Sequence, residues 1–462
     1  VRLGYQHAMV SLDPHGHNEG VTGSVLSSVY EALVTHQPGV AIQPCLAKQW
    51  MTPDDTTWRF EIRDHVRFHD GRTMTVDDVV ASLERAREDS GSTIATFLEN
   101  IASVRSVEDA ERTVEIRTSA PFPLLLTRLA MVAIVPRGFS PGRPIGTGPY
   151  RWMAGTTQGP VLLHRWEEYW GDKPPIEEVR VLFVSGEESL AELIAGGELD
   201  VMASVSEEYL ARFGIGEGWR LERVPSAATT ILGINVTRAP FSDPRVREAL
   251  DLVIDRRALV AAAFPNMTAE PAVSIVPAEV FGFSAIGQGS VVDEARAKAL
   301  VAEARPEGVR LQLVHSGGDE AVFHYLEAAF ASLGFATEVV GIPYEELYQR
   351  IERSANDLYL FGWNFRFGDA SDFLDAVAHS RDPGRLLGLL NGSGYSDAEL
   401  DSWIERAGRE PSTSKRLELL HWSLARLARD RPYLPLFHTS RLILVRDPFW
   451  IRASEISMSA GR

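Results

Sequence analysis

Trp363, Asn364, Phe365, Arg366 and Phe367 stand in unbroken succession, and this run holds the residues best suited to function. Three aromatic faces, one amide and one guanidinium suit a pocket that stacks a small polar ligand and fixes it with a few placed polar groups. Asp369 follows within a Gly-Asp-Ala-Ser-Asp turn that holds Gly368, Ser371 and Asp372, all turn formers. Just upstream, Leu358, Tyr359, Leu360 and Phe361 read as a buried strand that breaks at Gly362. The same pattern fits an aromatic core strand ending in a polar turn, and on local grounds the two readings stand level.

Catalytic and metal chemistry find no comparable foothold. The chain has no GxxxxGK(S/T), no HExxH and no GxSxG. A single cysteine, Cys45, rules out CxxC, an intrachain disulfide and a multi-cysteine zinc site. His7, His15 and His17 follow no metal-ligand spacing. His379, His421 and His438 are scattered, with no nucleophile in a recognisable motif, and read as packed or surface histidines. Acidic pairs such as Asp54-Asp55, Asp77-Asp78 and Glu187-Glu188 fit solvated surface or helix starts. The expectation is a protein without catalysis, metal or cofactor.

At 462 residues the chain is too long for one ordinary core, so two or three domains are expected. Hydrophobic residues at 45% and charged residues at 24% match a soluble globular protein. The net charge of −17 argues against nucleic acid and anionic membrane surfaces as partners. No apolar run is long enough to span a bilayer. Val1 leads almost directly into strand-like VRLGY with no secretory leader, as in a mature or trimmed form, which leaves export open.

Period and punctuation outline the elements that must position the aromatic run. After VRLGY comes a Pro/His/Gly-rich loop in which Asn18 and Glu19 can face a cleft. VLSSVYEALV then has Val25, Leu26, Val29 and Leu33 at helical spacing. TWRFEIRDHVRF alternates as a half-exposed hairpin turning near Arg63-Asp64-His65. TVDDVVASLERARED opens on a Thr75 and Asp78 pair close to a capping box. With strands SVRSVEDA and RTVEIRTS, Gln37 to about Arg137 forms an α+β insert. Alternating strands and helices follow the glycine- and proline-dense GRPIGTGPYRW, and GIGEG reads as a turn. One helix, PFSDPRVREALDLVIDRRALVAAAF, starts at Ser242 and Asp243. From VRLQLVHS to DLYLFGW the order β-α-β-α-β builds a second α/β lobe. Trp363 to Phe373 leave that lobe at a strand's carboxyl end, where open α/β sheets take ligands. GYSDAELDSWIERA brings a Ser396 and Glu399 box, and STSKRLELLHWSLARLA puts Leu417, Leu420, Leu424 and Leu427 on one helix face.

Several stretches occur in a telling order: YEAL, IQPCLAKQW, WRFEIRDHVRFHDGRTMTVDDVVASLERA, GTGPYRW, EEYWGDKPPIEEVRV, GGELDVM, INVTRAPFSDPRVREALDLVIDR, GWNFRFGDASDF, GYSDAELDSWIERA and RPYLPLF. In that order, over nearly the whole chain, they resemble the bacterial ABC-importer solute-binding proteins of the dipeptide, oligopeptide and nickel family. The resemblance implies an α/β, two-lobed periplasmic-binding-protein fold with an extra α+β subdomain inserted in lobe 1 and hinge strands between lobes. Lobe 1 would comprise residues 1–36, 146–233 and 437–462, the insert 37–145, and lobe 2 residues 234–436. Lobe closure would bury the solute. GTGPY would be structural, a tight turn needing Gly146 and Gly148.

The resemblance also implies a periplasmic or cell-surface monomer that delivers a solute to ABC importer permease subunits. That solute would be an oligopeptide or a peptide-like or acidic compound. A ligand sensor of the same fold, and a nickel-chelate carrier, are the alternatives. Trp363 matches the family's stacking aromatic, and Asn18 and Glu19 match a first-lobe loop that faces ligand backbone. Peptide-binding relatives place an aspartate for the α-ammonium shortly after GW, and Arg366 stands there, favouring carboxylate or phosphate. Asp369 is left as a possible ammonium partner, and an ion pair of Arg366 with Asp369 or Asp372 is the structural alternative. The site set is therefore Asn18, Glu19, Trp363, Asn364, Phe365, Arg366, Phe367 and Asp369.

Overall fold

The computed structural model describes residues 1–17, 19–36, 42–88, 93–265, 269–285, 291–304, 310–318, 320–365 and 368–449. The chain divides into two units, Val1–Val224 with the stretch from Arg441 onward, and Pro225–Ser440. Both divisions fall inside strands, Trp219–Ile234 and Tyr433–Arg446. The lobe limits read from sequence, after residues 233 and 436, lie in those same two strands.

The first unit opens with β1 (Arg2–Tyr5), α1 (Gly20–Leu26), β2 (Val34–His36), β3 (Ile42–Pro44), β4 (Ala47–Asp54) and β5 (Thr57–Ile62). It continues through α2 (Val76–Glu88), α3 (Thr93–Phe97), β6 (Ile101–Val107), β7 (Ala110–Thr118) and α4 (Leu125–Leu129). Then come β8 (Tyr150–Ala154), β9 (Val161–Arg165), β10 (Glu178–Phe183), α5 (Glu187–Ala195), β11 (Val201–Val205), α6 (Glu207–Phe213) and β12 (Trp219–Ile234). β4, β5, β7 and β6 make a four-stranded antiparallel sheet. Phe60, Ile62, Val114 and Ile116 of that sheet share a core with Val79 and Leu83 of α2 and with Leu125 and Leu129 of α4. The Thr75 and Asp78 box forms: the Thr75 N–H donates to Asp78 at 2.9 Å, and the Asp78 N–H to the Thr75 hydroxyl at 3.3 Å. A separate sheet places β1 parallel to both β10 and β11, with β9 and β8 beyond β10.

Two expectations for this unit need correcting. The helix read over VLSSVYEALV lies earlier, over Gly20–Leu26, because Glu19 caps it there; by Val34 the chain is a strand. TWRFEIRDHVRF is not a hairpin. β5 stops at Ile62 and pairs with β4 and β7, and His65 turns the chain with a φ of 61°. The GIGEG turn is present, with positive φ at Gly214, Gly216 and Gly218.

The second unit contains α7 (Pro244–Val253), α8 (Arg256–Ala263), β13 (Ala269–Pro271), α9 (Glu294–Ala304), β14 (Arg310–His315), α10 (Glu320–Ala331) and β15 (Ala336–Gly341). After these come α11 (Tyr344–Glu352), β16 (Leu358–Asn364), α12 (Ser371–Phe373), α13 (Ala398–Ala407), α14 (Thr413–Asp430) and β17 (Tyr433–Arg446). β14 lies between β15 and β16, parallel to both, and β12 is antiparallel to β16. Alternate residues of β16 serve two cores. Leu358 and Leu360 join Leu326 and Phe330 of α10; Tyr359 and Phe361 join Leu347 of α11, Leu400 of α13 and Leu420 of α14. A strand buried on both faces needs a near-continuous apolar run, which LYLF provides.

Here too the caps decide where helices begin. The single helix expected from Ser242 is two: α7 ends at Val253, and Asp255 restarts the chain as α8 by accepting the Arg257 and Ala258 N–H groups. α13 is capped by Asp397, which accepts the Leu400 N–H at 2.8 Å, and not by Ser396.

Candidate functional site

The chain leaves β14 for β15 on one side, then crosses to β16 on the other, which makes the carboxyl end of β14 a topological switch point. β16 runs on past that end, held by β12, with Thr229 opposite Trp363 and Ala228 opposite Asn364. At the end of β14, the His315 ring stacks on Phe323 with centroids 3.8 Å apart. Its Nδ1 accepts the Gly317 N–H at 3.2 Å, so the neutral ring carries its proton on Nε2. Burial lowers the His315 pKa, which favours that neutral form.

Trp363 is half-buried and meets Phe373 edge to face, 5.8 Å between centroids at 84°. Its indole N–H is buried and meets no acceptor among the described residues. An unanswered buried donor costs on the order of 1–3 kcal/mol, and solute or water is what ordinarily satisfies one. Asn364 is exposed. Phe365 differs from expectation: at 1% exposure it sits in the core near Phe373, and its N–H is tied to Ala227 O at 2.7 Å. It is packing, not a solute contact.

Asp369 is likewise withdrawn from the surface, at 6% exposure. Arg416 of α14 reaches both its carboxylate oxygens, Nη1 to Oδ2 and Nη2 to Oδ1, each at 2.7 Å. Each oxygen of Asp369 therefore already has a cationic partner in Arg416. Arg366, Phe367 and Asn18 lie outside the described residues.

Glu19, in the first unit, is the N-cap of α1. Oε1 accepts the Val21 N–H at 2.7 Å and faces His7 Nε2 at 3.1 Å; Oε2 accepts the Thr22 N–H at 2.7 Å and its hydroxyl at 2.6 Å. Burial alone would raise its pKa, but the Thr22, Val21 and His7 bonds outweigh it and hold the carboxyl at about 2. Glu19 is thus anionic and locked in place.

Trp363 and Asn364 lie at the end of β16, and Asp369 follows in the turn before α12. Arg416, Phe373 and His315 were not singled out from sequence. Arg416 left a legible signal: it falls on the apolar stripe of its helix with Leu419, Leu420, Ser423, Leu424 and Leu427. A cation at such a position calls for a buried acid.

Comparison with known proteins gives the family. The chain is 26% identical over 449 residues to a glutathione-binding protein of Salmonella typhi, covering 92% of this chain and 86% of the relative. It superimposes on the ABC transporter substrate-binding protein CtaP of Listeria monocytogenes with a TM-score of 0.88 at 19% identity, covering 100% and 97% of the two chains. MoaA of A. tumefaciens R10, solved with mannopinic acid, gives a TM-score of 0.75 at 25% identity, covering 100% and 98%. Residues 41–385 match the profile of the bacterial extracellular solute-binding proteins, family 5 (middle region), and the chain belongs to that family.

Proposed function

We propose that this chain is the solute-binding component of an ABC importer, held in the periplasm or at the cell surface, where it takes up a small peptide-like or acidic compound. The observation that carries the reading is the Trp363 indole N–H, unanswered among the described residues, beside the exposed Asn364 at the carboxyl end of a strand flanking a switch point. In a member of this family, such a face offers one stacking surface and donors for a solute's oxygens. Arg366 is the proposed cationic contact. With Asp369 engaged by Arg416, the acid nearest in sequence to Arg366 on that strand end is not there to receive an ammonium. That supports a solute presenting carboxylate toward Trp363. Glutathione and mannopinic acid, the solutes of two relatives, both carry carboxylates. The protein works without catalysis and as a single chain, with permease subunits as partners.

Thermal denaturation in the presence of solutes tests this directly, because binding to the native state must stabilise it. Glutathione or mannopinic acid in large excess should raise Tm, and glutathione diethyl ester should not. Equal stabilisation by the ester would sink the acidic reading. Native mass spectrometry that finds a co-purified cation without a carboxylate would do the same.

A further inference from the structure

We propose that Arg416 is a positioning residue for solute recognition: it never meets the solute, but fixes the strand end and turn on which Trp363 and Asn364 are presented. Its guanidinium ties three separate pieces of the second unit to its own helix. Besides both oxygens of Asp369, Nη2 donates to the Ser371 hydroxyl at 2.8 Å, and Nε to the Ala407 carbonyl at the end of α13, 3.1 Å away. The guanidinium carbon also lies 5.2 Å from the centre of the Phe281 ring.

Phe281 completes the clamp through its backbone. Its N–H donates to Gly368 O at 2.9 Å, and its carbonyl accepts the Ala370 N–H at 2.8 Å, a single parallel bridge to Asp369. Gly368 in turn donates to Phe365 O at 2.9 Å, and Phe365 is bonded to β12. Ser371 N–H bonds Asp369 Oδ1 at 2.9 Å and opens α12, whose Phe373 is the ring that Trp363 meets edge to face. From Arg416 to Trp363 there is therefore a continuous path through Asp369, Ser371 and Phe373.

A buried pair with both partners near 5% exposure is not needed for surface solubility, and an apolar pair could replace it in a core of ordinary purpose. What it supplies is direction. Two parallel N–H···O bonds fix both the distance and the plane of the Asp369 carboxylate, which a methyl contact cannot do.

This inference rests on the reading that the end of β16 meets solute, so the primary readouts need no solute. Arg416→Lys keeps the charge and loses the two-pronged geometry. Arg256→Lys is the control, since Arg256 holds Asp251 at 2.6 Å in a comparably buried pair within the same unit. With 5-fluorotryptophan incorporated, the Trp363 ¹⁹F resonance, assigned by loss in Trp363→Phe, should shift in Arg416→Lys and stay in place in Arg256→Lys. Amide exchange at Ala370 and Ser371 should accelerate roughly tenfold in the first variant only. Equal changes in both variants, or none in Arg416→Lys, overturn the proposal.

A titration with glutathione then separates the two claims. Weaker binding in Arg416→Lys than in Arg256→Lys, at matched Tm, is the expected result. Equal affinity in the two variants despite a moved Trp363 resonance would overturn the role in recognition. If wild type and both variants fail to bind glutathione, the acidic-solute reading suffers, while the ¹⁹F and exchange outcomes still decide whether Arg416 positions Trp363.

Discussion

His69 donates its Nε2 proton to the Gly148 carbonyl at 2.8 Å while its Nδ1 accepts the Gly146 N–H at 3.3 Å. Both ring nitrogens are used only in the neutral form, and a second proton would point at a donor. Burial pushes the pKa down, Arg151 adds to this, the Gly148 bond opposes it, and the result is about 4 against the ordinary 6.5.

Between those two values the unfolded chain binds a proton that the native chain does not. Stability is therefore fully present above about pH 6.5, declines as pH falls through the window, and is lost below about 4. The contribution is roughly 3 kcal/mol. Half-buried His438 is also lowered to about 4, chiefly by desolvation, so its loss falls in the same window. Urea melts at pH 7, 5.5 and 4.5 should show this decline. His69→Gln, with one donor and one acceptor, should make it shallower by the His69 share; an unchanged slope in that variant would remove His69 as a source.

Glu31 ties together segments distant in sequence. Its carboxylate accepts the Thr147 hydroxyl at 2.9 Å, the Tyr169 hydroxyl at 2.8 Å and the Trp170 indole N–H at 2.8 Å, with Cys45 Sγ 3.8 Å away. Glu31→Ala leaves buried Thr147 and half-buried Tyr169 and Trp170 without this acceptor and should destabilise by about 2–4 kcal/mol in urea unfolding. Glu31→Gln retains one acceptor oxygen and should cost about half as much. A loss below about 1 kcal/mol in the alanine variant would show that the donors find other partners.

The Glu31 cluster also shows what sequence could and could not reveal. YEAL, GTGPY and EEYWGD are visible as separate stretches, but the carboxylate that joins them follows only from the fold. GTGPY proves structural for a more specific reason than turn geometry: a Cβ on Gly146 would lie 2.0 Å from Val29 O, and one on Gly148 2.7 Å from Ser28 O. The β-α-β-α-β order of the second unit and the Thr75 box were legible because both depend on local period and local caps. The partner of Asp369 was not legible, because Arg416 sits on a helix 47 positions away, beyond any local pattern. The early start of α1 was missed because glutamate is an uncommon cap, although Thr22 three residues on supplies the hydroxyl that makes it work.

That cap carries its own pH signature. The Glu19 carboxyl stands at about 2 against an ordinary 4.5, so the native chain holds it ionised where the unfolded chain is protonated. Its contribution is present above about pH 4.5 and is lost as pH falls through about 2. Acid unfolding followed by circular dichroism should begin at higher pH in Glu19→Ala. Glu19→Asp should restore part of the difference, because a shorter acid still caps. Identical acid midpoints in wild type and the alanine variant would separate the cap from acid stability.

Gly233 and Tyr359 make the last case, and they bear on the strand that presents Trp363. They face each other across β12 and β16, and a Cβ on Gly233 would lie 2.2 Å from Tyr359 Cζ. The ring thus fills the place of the missing side chain on the neighbouring strand, and a Cβ at Gly392 would crowd its hydroxyl at 2.6 Å. Gly233→Ala should destabilise by about 3 kcal/mol, since β12 must move away from β16 to admit the methyl. Tyr359→Val alone should cost a comparable amount through the cavity it leaves. Together the two changes relieve each other, and the double variant should be about 1–3 kcal/mol more stable than additivity allows. Additive losses would mean that the glycine is not there to receive the ring. The β12–β16 register beneath Trp363 would then owe nothing to this pair.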